Sequence, residues 1–138
     1  MREQVELTYL IGYPEQSDEF EASIIKLASK LCGGCFVSNG DGYWAEDGAD
    51  HKSTFEGVIV KEHCFSLSLT CELSKVDRVQ EQMQAGIAGY AGRYKVDTDW
   101  VHVKYLPITG MHFSIKDRPS NQRSLERDII SPGTRGAR

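Results

Sequence analysis

No stretch of this 138-residue chain approaches the roughly 18 consecutive apolar residues of a membrane span, so no bilayer-crossing helix and no membrane partner is expected. Met1 to Glu6 lack the basic segment and apolar stretch of a secretory leader. A cytoplasmic protein is expected. Positive charge is not in excess: 16 Lys and Arg stand against 20 Asp and Glu, a formal net charge of -4. That excludes the strongly basic footprint of a nonspecific nucleic-acid binder. Proline is scarce, at 4 residues, and no internal repeat or low-complexity segment interrupts the pattern. Cysteine is limited to Cys32, Cys35, Cys64 and Cys71. In a chain without a leader these predict reduced thiols rather than a disulfide framework.

With 40% apolar residues, the chain can bury one sizeable core, whereas two independent domains would each be too small. Its charge is unevenly placed. Residues 1–115 hold 10 basic and 17 acidic side chains, and residues 116–138 hold 6 and 3, which divides the chain into an acidic body over 1–115 and a basic polar tail over 116–138. In the tail, Ser124 followed by Leu125, Ile129 and Ile130 predicts one or two helical turns with an apolar edge.

Within the body, Val5, Leu7, Tyr9 and Ile11 alternate as in a strand with one buried face. Ser17 before Asp18, Glu19 and Glu21 predicts a capped helix start, Phe20, Ile24, Leu27, Ala28 and Leu31 supply its apolar stripe, and Gly33 supplies its stop. A second strand runs from Cys35 through Asn39-Gly40-Asp41-Gly42 to Trp44, with the glycines read as a bulge or bend. A long strand region lies between Thr54 and Leu73, where Phe65, Leu67, Leu69 and Cys71 alternate with Cys64, Ser66, Ser68 and Thr70. Ser74 with Asp77 predicts the next helix start, and Val76, Val79, Met83, Ile87 and Tyr90 its buried stripe. Gly86 and Gly89 in its interior predict a close approach to the sheet. Trp100 to Leu106 gives a fourth strand, and Met111, Phe113 and Ile115 predict a short fifth one after Pro107. The expected fold is α+β: a ferredoxin-like β-α-β-β-α-β sandwich, with an extra C-terminal strand.

Few residue patterns point to chemistry. Cys32-Gly-Gly-Cys35 has a thiol spacing used by metal and redox sites, but a zinc would need partners from His63, Cys64 or Cys71, so core cysteines are the simpler reading. Asn39-Gly-Asp-Gly-Tyr-Trp lacks the lysine of a phosphate loop and the ligand pattern of a calcium loop. The four histidines, His51, His63, His102 and His112, show no helical metal spacing. No catalytic residue, metal or cofactor is expected. Thr8, Ser66 and Ser68 would occupy the centre of the open sheet face, where RNA-binding relatives of this architecture stack bases on aromatic rings, so direct nucleic-acid binding is not expected.

The run Leu31-Cys-Gly-Gly-Cys-Phe-Val, then Gly40-Asp-Gly-Tyr-Trp, then Phe55-Glu-Gly-Val-Ile-Val is similar to a pattern of small uncharacterised ferredoxin-like proteins of bacteria, phages and plasmids. The resemblance covers about residues 20–105 and implies the fold, with no active site to transfer. By class alone the chain also resembles anti-defence inhibitors, anti-CRISPR proteins among them. The leading expectation is a non-enzymatic protein-binding module of a phage or plasmid, a monomer or homodimer, that inhibits a host nucleoprotein defence complex. Its acidic surface would suit a basic nucleic-acid-binding partner. The expected contacts are Asp41, Tyr43, Trp44, Glu46 and Asp47, an aromatic pair rimmed by carboxylates, with Arg118, Arg123 and Arg127 in the tail. Two other readings stand beside it. One is a small ligand-binding domain or enzyme using the open sheet face, with Trp100, His102 and Lys104 lining the site, and the other is a zinc-stabilised adaptor held by Cys32 and Cys35.

Overall fold

The computed structural model describes residues 2–116, without the side chain of Arg2. The tail arginines Arg118, Arg123 and Arg127, and the turns expected around Ser124, lie outside the described residues. One compact unit spans Arg2–Thr109. Its elements in order are β1 Arg2–Tyr13, α1 Asp18–Cys32, β2 Phe36–Ala45, β3 Ile59–Glu72, a 3-10 turn Leu73–Lys75, α2 Val76–Tyr94 and β4 Val101–Gly110.

The strands form one antiparallel sheet in the order β2-β3-β1-β4. The alternation in β1 does what period two requires: Val5, Leu7, Tyr9, Ile11 and Tyr13 all point into the core, directly across from Cys71, Leu69, Leu67, Phe65 and His63 of β3. Phe20, Ile24 and Ala28 of α1, with Val79, Met83 and Ile87 of α2, cover that face. Thr8 and Ser68 stand opposite each other on the other face, their hydroxyls 2.8 Å apart.

Helix α1 starts where the sequence marks it. Ser17 Oγ accepts the Phe20 N–H, and Gly33 closes the helix at φ 83°, a left-handed conformation that costs glycine little. Helix α2 starts differently from expectation. Ser74 sits inside the 3-10 turn and no side chain caps α2, so the turn itself leads into the helix.

Three further expectations are corrected. β2 has no bulge: Phe36 to Ala45 pair in unbroken register with Ser68 to Ile59. Gly86 lies against α1, not the sheet, since a Cβ there would stand 2.2 Å from Leu27 Cδ2, and a Cβ at Gly89 would meet no other part of the protein within 4 Å. Residues 111–116 form no strand, because β4 continues through Pro107 to Gly110. β4 is a sheet edge, the part of a sheet that accommodates a proline most readily.

Candidate functional site: the β2–β3 hairpin and its polar anchor

β2 is the other edge of the sheet, and of its residues only Gly42 is buried. The reason is positional. Both helices cover β1 and the core half of β3, which leaves the β2 residues from Phe36 to Trp44 exposed apart from Gly42. Phe36, 84% exposed, and Trp44 share the open face, while Val37, Asn39, Asp41 and Tyr43 share the helix-side face beside α1. Phe55, Val58, Ile59 and Val60 extend the exposed apolar surface along the loop and the start of β3. Such an edge carries a row of unpaired backbone donors and acceptors.

The glycines of the Gly-x-Gly-x-Trp run acquire a role here. A Cβ at Gly42 would lie 3.0 Å from Trp44 Cζ2, and one at Gly12 would lie 2.9 Å from both Trp44 Nε1 and Glu62 Oε1. Two bare backbone positions, on β1 and β2 with β3 between them, thus make a floor for the indole. The sequence signal for this was present, but it was legible as a bend because glycine in a strand serves either purpose.

Asp47 organises the loop after β2. Its carboxylate accepts the Glu56 and Gly57 N–H groups at 3.0 and 2.9 Å and pairs with Lys52 Nζ at 2.7 Å. The Lys52 ammonium first, then these backbone donors, hold its carboxyl down to about 2. Asp47 is therefore engaged within the loop, whereas Asp41 makes a looser pair with Lys61 at 3.7 Å and Glu46 uses its backbone N–H on the Val58 carbonyl. Asp41, Tyr43, Trp44, Glu46 and Asp47 lie along one hairpin, Asp41 and Tyr43 on its helix-side face and Trp44 on the open face.

Beneath the hairpin lies a cluster that reading the sequence missed. Glu21 is 5% exposed, on α1. Its carboxylate accepts the Tyr13 hydroxyl, lies 2.9 Å from His63 Nε2, and accepts the Gln16 amide at 3.4 Å. The Asn39 amide, turned to donate, reaches both Glu21 oxygens at 3.2 and 3.3 Å. Tyr13 stacks edge-on against Phe20 and His63, at 5.3 and 5.1 Å between ring centres. Burial first, and then the Glu21 carboxylate, push the Tyr13 hydroxyl upward, so it stays a donor. The cluster ties α1, β1, β2 and β3 together by charge-assisted hydrogen bonds. Glu21 read from sequence is one more first-turn acid, and no local spacing distinguishes it.

The thiols do not assemble a metal set: among the described residues no group of three His, Cys, Asp or Glu side chains is placed to hold an ion. Burial first, then the neighbouring Cys71 and Cys35, push the Cys32 thiol up to about 11, which disfavours the thiolate a metal needs. His102 and Lys104 alternate with Val101 and Val103, and only the valines pack against the core. Trp100 stands apart from them, beside those valines at a cavity on the helix side.

No family model and no curated protein matches the chain. Among solved structures, CutA1 from Oryza sativa is similar over 80% of this chain and 84% of that one, at 17% identity and a TM-score of 0.50. The fold is similar to that of CutA proteins. CutA from Synechococcus elongatus matches over 80% of each chain at 12% identity, with a TM-score of 0.49. A CutA from Archaeoglobus fulgidus, described as a periplasmic divalent cation tolerance protein, matches over 77% of this chain and 87% of that one, at 17% identity and 0.49. At these identities the CutA1 likeness supports the mixed α+β architecture of four antiparallel strands and two helices, and assigns no residue a role. No helix among the described residues is long and apolar enough to cross a membrane.

Proposed function

We propose that this chain is a non-enzymatic protein-binding module that engages its partner through the β2–β3 hairpin. One observation carries the reading: an edge strand exposed on both faces that presents Phe36, Tyr43 and Trp44 and continues into Val58, Ile59 and Val60. Exposed apolar side chains gathered along one edge favour association, and an open edge can add a partner's strand. Asp41, Glu46, Asp47, Asp50, Glu56 and Glu62 outnumber Lys52 and Lys61 along the hairpin, so the partner should be basic. That chemistry suits a nucleic-acid-binding complex, and inhibition of such a complex, as by anti-CRISPR proteins of phages and plasmids, is the biological form of the reading. The strand order β2-β3-β1-β4, with one helix after β1 and one after β3, favours the split β-α-β arrangement of ferredoxin-like domains. The free thiols favour a reducing compartment such as the cytoplasm.

A photo-cross-linking side chain placed at Tyr43 and, separately, at Lys104 tests it in a host extract. The reading expects one basic protein, identified by mass spectrometry, to be captured at position 43 and not at 104, with capture lost when Trp44→Ala is added. Capture at 104 alone, of a second copy of the chain alone, or of nothing, would overturn it.

A further inference from the structure

At the sheet edge away from the hairpin, a cavity of about 390 Å³ opens between α2 and β4, within the size range of small-molecule sites. Two alanines of α2, Ala88 and Ala91, face Val101 and Val103 of β4 across it, and the short side chains leave a slot where a larger pair would close the gap. The polar groups at its wall converge from three elements. The Tyr9 hydroxyl donates to Gln80 Oε1 at 2.6 Å, which fixes that amide with its N–H groups left to donate elsewhere. Burial pushes the Tyr9 hydroxyl upward, keeping it a donor. Gln84 adds a second amide and Asp99 a carboxylate, while Trp100, 80% exposed, stands at the rim. Neither lysine, arginine nor histidine lines the cavity.

We propose that this cavity is a binding site for a small planar organic cation, an aromatic ring bearing an amidinium or ammonium group. The carboxylate of Asp99, in a lining that holds no basic side chain, selects positive charge and disfavours carboxylates and phosphates. The Trp100 indole offers a flat face for the ring and a negative quadrupole for the cation. The alanine-lined slot admits a ring edge-on, and the Gln80 and Gln84 amides orient it. The site is independent of the hairpin, which lies at the opposite edge of the sheet, so the two readings fail separately.

Benzamidine, benzamide and benzoate share one ring and differ in charge, and their titration into the full chain, followed by amide shifts in two-dimensional NMR, tests the site. Benzamidine is expected to move the signals of Gln80, Gln84, Ala88 and Trp100 and to bind more tightly than benzamide, with benzoate weakest. Asp99→Asn should weaken benzamidine by about threefold to fivefold, the range of a partly exposed charge pair, and leave benzamide unchanged. Ala88→Leu should abolish binding of both while the rest of the spectrum stays folded. Equal binding of benzoate, an unchanged benzamidine affinity in Asp99→Asn, shifts centred elsewhere, or no shifts at millimolar probe would each overturn the proposal.

Discussion

Removing the Glu21 carboxylate leaves the buried Tyr13 hydroxyl and the half-buried His63 ring without their shared acceptor. Breaking such a buried cluster by deleting one partner costs about 3–5 kcal/mol, so Glu21→Ala should lower unfolding stability by that order in urea titrations. Tyr13→Phe keeps the ring packed and deletes one charge-assisted hydrogen bond, about 1.5–3 kcal/mol. A Glu21→Ala effect under 1 kcal/mol would show that the carboxylate anchors nothing. Asp47 makes a pH prediction with a definite sign. Its folded value of about 2 lies below its unfolded value of 3.8, so its contribution is present above about pH 4 and is lost as pH falls towards 2. Protection of the Glu56 and Gly57 amides, taken relative to their intrinsic exchange rates, should fall over that window in the wild type, and Asp47→Asn should show reduced protection already at neutral pH.

At the scale of single elements, the two glycines inside α2 separate by their surroundings. Gly89→Ala meets open space and should gain most of the helix-propensity difference, up to about 1 kcal/mol. Gly86→Ala must push Leu27 aside and should gain clearly less, which thermal unfolding of the two variants will resolve; equal gains would mean that α1 and α2 are less closely packed than described. The elements themselves were readable because their signals are local. Ser17, the acids after it and Gly33 bound α1, and the alternation from Val5 to Ile11 fixes which face of β1 is buried. What failed was non-local. Whether Gly42 bends a strand or seats an indole depends on Gly12, a neighbour-but-one strand away, and whether Pro107 ends β4 depends on its being an edge. The aromatic and acidic residues of the hairpin are visible as a group because they are adjacent in sequence. The Glu21 cluster is not, since its members come from four separate elements.

For the whole molecule, an acidic body buries one face of its sheet under two helices and leaves β2 uncovered at one edge. The core is robust to changes on that edge, because the hairpin residues Phe36, Tyr43 and Trp44 contribute little to it. Tyr43→Ala should therefore leave unfolding stability within about 0.5 kcal/mol of wild type, as for ordinary surface positions, while weakening partner binding. The most direct measurement is hydrogen exchange across the chain, free and bound to the basic protein captured at position 43. The account predicts that the outward-facing β2 amides between Phe36 and Ala45 become protected on binding while those of β4 do not change. Protection confined to β4 or to the α2 surface, with β2 exchanging as in the free protein, would contradict it.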